Sequence, residues 1–575
     1  MADLADTMMD LLLDAEPLSS TLLGLPGRDH LLRDLGVEAE SALRARAEDV
    51  LGRAVGGDPT TAVVADQATA LLEWLDALPA ELTCADVWRA SAAGLLTMLP
   101  LVRPVDERGQ LDYLARLSVV PRFLEQLADR QRAAAAAGVV PVARLARRAV
   151  DFLDRYLADP DGDPLRTPEL DGPRDAKRLR LLEQEVRPAF AAYRAFLHDE
   201  IAPQGRGDDR PGLCALPGGA AMYAGLVRRF TTTSASPEEL HRTGLELVAE
   251  LEREYLEVGS RVFGLTTVEA VRERVRTDPA LRWADADGML AAAEATVDRA
   301  LAVAPRWFGR LPRGECAVER VPEAAESTAP LGYYVDPALD GSRPGTYFVN
   351  TRRPGEQDRT IGEALAFHEG VPGHHLQIAL AQELGDLPLI RRIAVVEAYT
   401  EGWGLYAERL ADEMGLYTDD VARLGMLAQD SARAARLVVD TGMHAFGWSV
   451  DRAVEYLRAS TAMAEADIRS QVDRFVENPG QALAYMVGRL EFQRLRREAE
   501  QRLGAAFDLK AFHDLVLGGG PLPMAVLADV VDRWSARLLQ RGVPAAVGEV
   551  HDEADGEPDG EPQPRGGVEE RDQPQ

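Results

Sequence analysis

The sequence predicts an all-α, mostly helical protein with one small β-hairpin. Leu, Val and Ala recur at intervals of three and four residues with charges between them, which is typical of helices that bury one face. This pattern covers residues 39–55, 65–78, 111–130 and 142–157, and with interruptions it extends from about 361 to 539. Only the stretch 329–350 has the composition of strands. Helices should therefore form almost all of the fold.

One helix start is marked with particular clarity. Ser236 is followed by Pro237 and, three residues after the serine, by Glu239. A serine N-cap, a proline in the first turn and an acid at the third position form a capping box. We expect a helix over the segment 234–259.

The predicted hairpin lies in APLGYYVDPALDGSRPGTYFVN. Two aromatic and β-branched runs, Tyr333–Val335 and Thr346–Val349, flank a centre that is rich in turn residues. The hairpin precedes the segment that carries most of the histidines. Its Arg343, Tyr347 and Asn350 could offer an edge to an extended substrate.

The length of 575 residues exceeds what one compact core usually organises, so several regions are expected. Pro- and Gly-rich breaks at 159–175 and 202–219 predict loops. We divide the chain into an N-terminal helical region (1–210), a catalytic helical region (211–546) and an acidic, disordered tail (547–575).

A formal net charge of −30 excludes the basic footprint that nucleic-acid binding requires, and it disfavours an anionic membrane as a partner. The three cysteines lie far apart and form no CxxC pair, so neither a disulfide framework nor a thiolate zinc site is predicted. No apolar stretch approaches 18 residues, and the first residues lack a basic segment before their short apolar run. The expected location is the cytoplasm.

The segment IGEALAFHEGVPGHHLQIAL (361–380) carries the chemistry. The chain has nine histidines, and three of them, His368, His374 and His375, fall within eight residues. On a helix, the imidazole of His368 can bind a metal ion while the carboxylate of Glu369 reaches the attacking water as a general base. This pairing predicts a metal-dependent hydrolase.

The histidine spacing requires a distorted helix. In a regular HExxH motif the second histidine stands four residues after the first, but here that position is Pro372. His374 would lie about 240° around an ideal helix from His368, and His375 would lie about 10.5 Å along it. Either histidine could be the second ligand only if the backbone is interrupted, which Pro372 and its flanking glycines favour.

A carboxylate ligand is expected from VVEAYTEGWGLYAERL (395–410). Glu397 and Glu401 are one turn apart, and Glu408 lies two turns beyond Glu401 on nearly the same face. An acid on an otherwise apolar, aromatic helix is costly to bury unless it is paired or bound to a metal. Glu401 is the preferred ligand and Glu397 its rival, while Glu408 could accept a hydrogen bond from a ligating histidine.

These motifs resemble the bacterial domain of unknown function 885 family, in HEGVPGHHLQ (368–377), EGWGLYAE (401–408) and RLVVDTGMH (436–444). The resemblance is specific over about residues 215–520. That family is in turn similar to zinc peptidases of the thimet oligopeptidase and carboxypeptidase Taq type, which implies an elongated, neurolysin-like helical architecture with a deep cleft. In those peptidases a ligand Glu stands seven residues before another Glu, as Glu401 and Glu408 do. The Gly-His ending of their motif favours His374.

By the same analogy, His444 or Tyr485 would stabilise the oxyanion that forms during hydrolysis. The alternatives are a core histidine near Asp440 for His444 and a packed helix aromatic for Tyr485. Arg489 is expected to be a structural ion-pair partner.

The predicted enzyme therefore holds one Zn²⁺ ion with His368, His374 and Glu401, and uses Glu369 as the base. It would be a peptidase (an oligopeptidase, dipeptidase or carboxypeptidase) that cleaves short peptides. Two alternatives are an amidase or esterase that acts on a non-peptide metabolite and a non-catalytic helical binding protein. Other divalent ions suit the same donors.

Overall fold

The chain is described from a computed structural model, which covers residues 2–83, 91–323, 326, 329–339, 341 and 343–542. The predicted fold class is confirmed, because helices account for nearly all regular structure and one small sheet is the exception. The predicted disordered tail (547–575) lies outside the described residues. The neurolysin-like outline with its deep cleft stays a prediction.

The first part of the chain forms short and medium helices with brief connections. They are α1 (Ala2–Ala15), α2 (Pro17–Leu22), α3 (Val37–Arg53), α4 (Pro59–Glu81), α5 (Ser91–Met98), α6 (Glu107–Ser118), α7 (Val120–Ala136), α8 (Ala143–Ala158), α9 (Pro173–Leu181) and α10 (Arg187–Phe196). The helix predicted over 111–130 is divided between α6 and α7 at Val119. Pro121 explains the break, because it lacks an N–H group and starts a helix more readily than it continues one.

Four helices lead from this part to the sheet: α11 (Gly219–Thr231), α12 (Pro237–Phe263), α13 (Val268–Thr277) and α14 (Ala286–Val303). The capping box at the start of α12 is confirmed. The Ser236 side chain accepts a hydrogen bond from the Glu239 backbone N–H, and the Glu239 carboxylate accepts one from the Ser236 N–H.

The sheet contains the predicted hairpin and one strand that the sequence did not reveal. Its strands are β1 (Cys316–Arg320), β2 (Gly332–Val335) and β3 (Gly345–Val349), in the order β1-β3-β2. β2 pairs antiparallel with β3, with Tyr333 opposite Phe348, and β1 pairs parallel with β3. β1 was missed because its five residues, CAVER, are too short and too polar to signal a strand.

The third strand corrects the expected substrate edge. β3 lies between β1 and β2, so its backbone is already paired on both sides. Tyr347 is 1% exposed, and the Asn350 amide donates to the carbonyls of Glu326 and Ala329. The edge that Tyr347 and Asn350 were expected to offer is therefore absent, and the open edges of the sheet belong to β1 and β2.

Helices resume after the sheet and continue to the last described residue. They are α15 (Gly362–Glu369), α16 (His374–Gln382), α17 (Ile390–Ile393), α18 (Glu397–Glu413), α19 (Asp420–His444), α20 (Val450–Ser460), α21 (Glu465–Glu477), α22 (Gln481–Leu503), α23 (Leu509–Leu517) and α24 (Met524–Gly542). α18 packs along α22 and also contacts α15 and α16.

Helix α18 lies between two large hydrophobic clusters. Trp403 belongs to one and Leu405 to the other, and both side chains are fully buried. The first cluster also contains Met8 and Leu11 of α1, so residues on both sides of position 210 share a core. Burial on both faces holds α18 rigidly, which suits a helix that carries functional groups. None of the helices in the described ranges is long and apolar enough to cross a bilayer.

Candidate metal centre

The histidine segment is interrupted as the spacing predicted. α15 ends at Glu369 and α16 begins at His374, with a tight turn between them. The His375 N–H donates to the Gly370 carbonyl at 3.1 Å, which bridges the turn. On the other side, the indole N–H of Trp403 donates to the Pro372 carbonyl at 2.9 Å. The turn is therefore held by α18 as well as by its own backbone.

Gly373 is the position at which this turn requires a glycine. A Cβ atom there would lie 2.0 Å from the His368 carbonyl oxygen and 2.4 Å from that of Phe367. Such distances are far inside van der Waals contact, so any larger residue would push α16 away from α15. The close approach is what allows two histidines six residues apart to face one point.

The structure brings His368, His374 and Glu401 together. One ligand atom from each lies within 4.8 Å of the others, and among the described residues this is the group of three or more His, Cys, Asp or Glu side chains that could hold a metal ion. Nε2 of His368 is 3.4 Å from Oε2 of Glu401, and Nε2 of His374 is 3.5 Å from the same oxygen. The two imidazole planes are inclined at 79°.

These distances suit a shared ion better than direct hydrogen bonds. Hydrogen bonds to a charged group are usually about 2.7–2.9 Å long, and the observed separations are well above that range. In a tetrahedral zinc site with ligand atoms about 2.1 Å from the ion, neighbouring ligand atoms are about 3.4 Å apart. The donor set of two imidazoles and one carboxylate also matches that of catalytic zinc sites. The residues therefore fit a zinc ion.

The imidazole of His368 is oriented by α18. Its Nδ1 lies 2.8 Å from Oε1 of Glu408, which leaves Nε2 facing Glu401. The ring packs against Gly404, which lies between Glu401 and Glu408 in the sequence of α18. A Cβ atom at this position would be 2.5 Å from Cε1 of the imidazole. A carboxylate that binds the far nitrogen of a ligating histidine fixes the tautomer and raises the basicity of the ligand.

The electrostatics of the group follow from burial among opposite charges. Burial alone would lower the pKa of His368, but the contacts with the carboxylates of Glu401 and Glu408 outweigh it and raise that pKa to about 10. Burial would raise the pKa of Glu401, yet the contacts with His368 and His374 hold it well below its ordinary value. The carboxylates thus favour a proton on His368, and a cation that binds here must compete with that proton.

Glu369 stands next to this group with its carboxylate uncommitted. The residue is 8% exposed, and among the described residues no side chain or backbone group is hydrogen-bonded to its carboxylate. Its charge contributes to the raised pKa of Tyr347, whose main cause is burial, so Glu369 lies within electrostatic reach of β3. A buried carboxylate that has no protein partner is available to a water molecule or a substrate.

The two rival ligands are placed elsewhere. Nδ1 of His375 lies 3.0 Å from the Tyr334 hydroxyl, and Nε2 lies 3.2 Å from the Gly314 carbonyl oxygen. Both nitrogens of His375 are thus engaged by the sheet and the loop before it. Glu397 begins α18 one turn before Glu401 and is outside the group that could hold a metal. Of the open alternatives, the geometry favours His374 and Glu401.

The interpretation of His444 as an oxyanion group is wrong on geometric grounds. Its Nδ1 accepts a hydrogen bond from the Leu213 backbone N–H at 3.1 Å, and its Nε2 lies 2.9 Å from the Phe475 carbonyl oxygen. The side chain is fully buried, and burial lowers its pKa to about 4. Because both nitrogens are occupied by backbone groups, this neutral histidine has no donor left for a substrate. The core alternative describes it correctly.

Tyr485 lies beside the candidate centre. Its ring stacks on the His368 imidazole with the ring centres 6.5 Å apart. Its hydroxyl oxygen accepts from Arg474 at 3.4 Å and from Gln481 at 3.5 Å, so its own proton remains available for donation. The position agrees with the predicted oxyanion role, which stays a prediction. Arg489, on the same helix, forms the buried ion pair expected of it, with Asp430 as the partner.

The family described as "Bacterial protein of unknown function (DUF885)" matches residues 17–531. The chain belongs to this family. The match begins at Pro17 and ends in α24, so it covers the N-terminal helices as well as the metal-centre helices. No curated protein matches the sequence.

Two solved structures have the same fold as this DUF885 chain. One, from Colwellia psychrerythraea, is described as a "putative lipoprotein"; it is 28% identical, has a TM-score of 0.86, and the match covers 93% of this chain and 99% of that one. The other, from Shewanella oneidensis, is described as a "putative lipoprotein of unknown function". It is 16% identical with a TM-score of 0.71, over 92% of this chain and 98% of that one.

These descriptions overturn the expected cytoplasmic location. That expectation was a default drawn from the lack of an apolar span and of a recognisable leader, and two structures that match nearly end to end are each described as a "putative lipoprotein". A lipid attached to the chain needs no spanning helix, so a search for apolar segments does not detect such an anchor.

Sequence analysis missed several residues around the centre. Asp336 follows β2, where burial raises its pKa and the charges of His374 and Arg343 oppose that rise. Arg433, Arg436 and Arg474 form a group of cations near Tyr485. Arg436 opens the RLVVDTGMH motif, but no motif marks Asp336, Arg433 or Arg474. The three arginines come together through the packing of α19 against α21 and α22, and Asp336 is placed by the sheet.

Proposed function

We propose that this DUF885 protein is a zinc-dependent hydrolase that cleaves short peptides. The observation that carries the proposal is the convergence of His368, His374 and Glu401 on one point, with the carboxylate of Glu369 beside them, which has no hydrogen-bond partner in the described part of the chain. A purely structural role would not need a buried, uncommitted carboxylate next to three possible metal ligands.

His368, His374 and Glu401 would hold the ion. Zn²⁺ in such a site supplies a Lewis acid that polarises a carbonyl and lowers the pKa of water towards neutrality. Glu408 keeps the Nε2 atom of His368 directed at the site through its bond to Nδ1. The Pro372 turn, held by Trp403, keeps the His374 ring at a fixed distance from His368.

Glu369 would act as the base and then as the acid. Its carboxylate accepts a proton from the attacking water as the new C–O bond forms, and it passes that proton to the leaving nitrogen as the C–N bond breaks. Tyr485 would donate its hydroxyl proton in a hydrogen bond to the developing oxyanion. Arg474 and Gln481 both donate to the oxygen of that hydroxyl, which leaves its proton for the substrate.

The choice of peptides rests on resemblance. The pairing of Glu401 with Glu408 at seven residues and the Gly-His ending at His374 are similar to zinc peptidases with long helical folds. The metal centre itself would serve any polarised carbonyl, so small amides and esters form the comparison arm of the test.

The proposal is tested first by metal content. Wild type, His374→Ala and His375→Ala are dialysed against limiting zinc and measured by mass spectrometry. We expect one zinc per chain in wild type and in His375→Ala, and less than a tenth of that in His374→Ala. The neighbouring histidine is a matched control because both side chains are buried at the start of α16. Equal zinc in all three proteins would contradict the assignment of the site.

Activity is tested on a panel of di- to pentapeptides, with small amides and esters in parallel. We expect hydrolysis of peptides by the zinc-loaded wild type and none by Glu369→Gln at the same zinc occupancy. Cleavage of amides or esters but not of peptides would replace the peptidase with the amidase alternative. Full zinc occupancy without hydrolysis of any substrate would indicate a binding protein.

A further inference from the structure

Three arginines form a cationic surface beside the candidate centre, here named the arginine triad: Arg433 and Arg436 on α19 and Arg474 on α21. The Arg436 guanidinium lies 4.8 Å from the centre of the Tyr485 ring, and that ring stacks on His368 at 6.5 Å. Arg474 donates to the Tyr485 hydroxyl. One tyrosine ring therefore separates the triad from a metal-ligand imidazole.

The triad lacks the carboxylates that such a group normally has. Within the described ranges none of the three arginines forms a salt bridge, whereas the nearby Arg409 and Arg489 share the buried Asp430. Arg436 and Arg474 bond to the neutral Gln471 and Gln481 instead. The hydrogen-bond partners of these two arginines are uncharged, so acids act on them only through longer-range attraction, from Glu401 on both and from Glu397 on Arg474.

Arg433 shows the deficit most clearly. It is 8% exposed, and its Nε is fully buried with no hydrogen-bond partner among the described residues. A buried guanidinium N–H without an acceptor is costly, and such groups are normally satisfied by a protein atom, water or a ligand. An arrangement that leaves one unsatisfied is explained if an anion completes it.

Charge repulsion within the triad points the same way. Burial, with the neighbouring charges of Arg433 and Arg474, lowers the pKa of Arg436 to about 9. Glu401 acts on both Arg436 and Arg474, and Glu397 acts on Arg474 as well. As a metal ligand, Glu401 would share its charge with the ion. Once the centre is loaded, the triad would have still less compensation from the protein.

We infer that the arginine triad binds the C-terminal carboxylate of a peptide and so directs the enzyme to the last peptide bond. Arg guanidinium groups match a carboxylate in charge and in bidentate geometry. A terminal carboxylate lies one residue beyond the scissile carbonyl, a span of about 3.5 Å. The contact of the carbonyl with the ion and that of the carboxylate with a guanidinium add to this span, so together they can reach from the centre past the Tyr485 ring to the triad. Arg436 and Arg474 are exposed enough to be reached.

This role rests on the proposed function, because a scissile bond has meaning only for a hydrolase. Water is added across the last peptide bond: a C–O bond forms, the C–N bond breaks, and Glu369 delivers the proton to the amine of the released amino acid. The released amino acid keeps its carboxylate bound to the triad until it dissociates. The enzyme would then be a carboxypeptidase.

Binding tests the triad independently of turnover. The probes are acetyl-trialanine, its C-terminal amide, and the amide of acetyl-Ala-Glu-Ala, titrated by calorimetry into zinc-loaded Glu369→Gln. We expect the free acid to bind at least about 10-fold more tightly than either amide, as loss of a charged hydrogen bond predicts. The glutamate peptide separates a terminal carboxylate from one on a side chain.

Two variants in the Glu369→Gln background locate the effect. Arg474→Gln changes a half-buried residue. Arg433→Gln provides a second variant if the first fails to fold. Each should reduce the preference for the free acid below about 3-fold. Arg469→Gln is the matched control, because it lies on the same helix, changes the charge equally, and pairs with Asp208 and Asp451. It should keep the preference.

Equal affinity for the acid and the amide would overturn the triad assignment, and so would a preference that survives both variants. Tight binding of the glutamate amide would assign the triad to side-chain acids instead. The hydrolase itself is judged separately. Equal hydrolysis of acid and amide by wild type would support the hydrolase and contradict the role of the triad. Preferential binding of the acid without any hydrolysis would support the carboxylate site and contradict the hydrolase.

Discussion

Two clusters of histidine and acid are buried among the helices, and they differ in one respect. The first contains His368 with Glu401 and Glu408, and the second contains His444 with Asp440 one turn before it on α19. In the second cluster both nitrogens of His444 bond to backbone groups. Asp440 accepts from Tyr223 at 2.6 Å and from the Gly480 N–H at 3.0 Å.

The first cluster is incomplete by comparison. The nearest approaches of His368 and His374 to Glu401 are 3.4 and 3.5 Å, and Nδ1 of His374 is buried with no hydrogen-bond partner in the described ranges. One oxygen of Glu408 is also unsatisfied. The comparison teaches that burial and residue type do not separate a functional cluster from a structural one. What separates them is convergence: one ligand atom each of His368, His374 and Glu401 lies within 4.8 Å of the others at separations too long for charged hydrogen bonds, whereas both nitrogens of His444 are hydrogen-bonded.

Of the changes to the first cluster, removing the base should reduce turnover the most. Glu369→Gln keeps the shape of the side chain but cannot accept a proton, so turnover should fall by about 10²–10⁴-fold. Steady-state kinetics on a cleaved peptide measures the fall, and zinc content should stay at the wild-type level. A variant that retains more than a tenth of the wild-type rate would remove Glu369 from the mechanism.

Removing the Tyr485 hydroxyl should have the next largest effect. Tyr485→Phe keeps the ring against His368 and Arg436 but loses the proposed oxyanion donor, so kcat should fall by about 10²–10³-fold. KM for the peptide should change little. If kcat is unchanged while stability drops, Tyr485 is a packed aromatic, as the alternative interpretation held.

A smaller effect is expected from the residue that orients His368. Glu408→Gln keeps an acceptor near Nδ1 but loses the charge, and zinc affinity should fall about 10–100-fold. Competition with a coloured chelator gives the affinity. Glu413→Gln is the control, since Glu413 lies on the same helix and pairs with Arg496 at the surface. Equal affinities in the two variants would argue against the orienting role.

The second cluster should affect stability and not activity. His444→Gln can accept from Leu213 and donate to Phe475, so peptide turnover and zinc content should match the wild type. In the folded protein burial lowers the pKa of His444 to about 4, so the unfolded chain binds the extra proton first as the pH falls.

This histidine therefore contributes stability that is present above about pH 6.5 and is lost towards pH 4, up to about 3 kcal/mol. Between pH 7 and pH 4.5, the free energy of unfolding measured in urea should fall less for His444→Gln than for the wild type. Equal losses would mean that His444 does not titrate as its burial requires.

Local sequence patterns predicted much of the fold and part of the centre. The helical repeats, the capping box at Ser236 and the hairpin at Tyr333–Val335 and Thr346–Val349 are short-range features, and the structure has all three. The interruption near Pro372 was predictable because proline and glycine act on their own backbone. β1 escaped notice because its pairing with β3 is set by distant residues.

The remaining parts of the centre depend on packing. No pattern near His444 reveals that Leu213 and Phe475 supply its two partners from other segments. The arginine triad likewise unites α19 and α21 next to a tyrosine of α22. Gly404 stands in the EGWGLYAE motif, but its purpose became visible only with the His368 ring lying on it.

The central claim is that His368, His374 and Glu401 share one ion. Anomalous diffraction at the zinc edge from crystals grown with one equivalent of zinc tests it most directly. The account predicts a single strong peak about 2.0–2.2 Å from Nε2 of His368, Nε2 of His374 and a carboxylate oxygen of Glu401. No peak at this position, or a peak bound by His375 or Glu397 in their place, would contradict it.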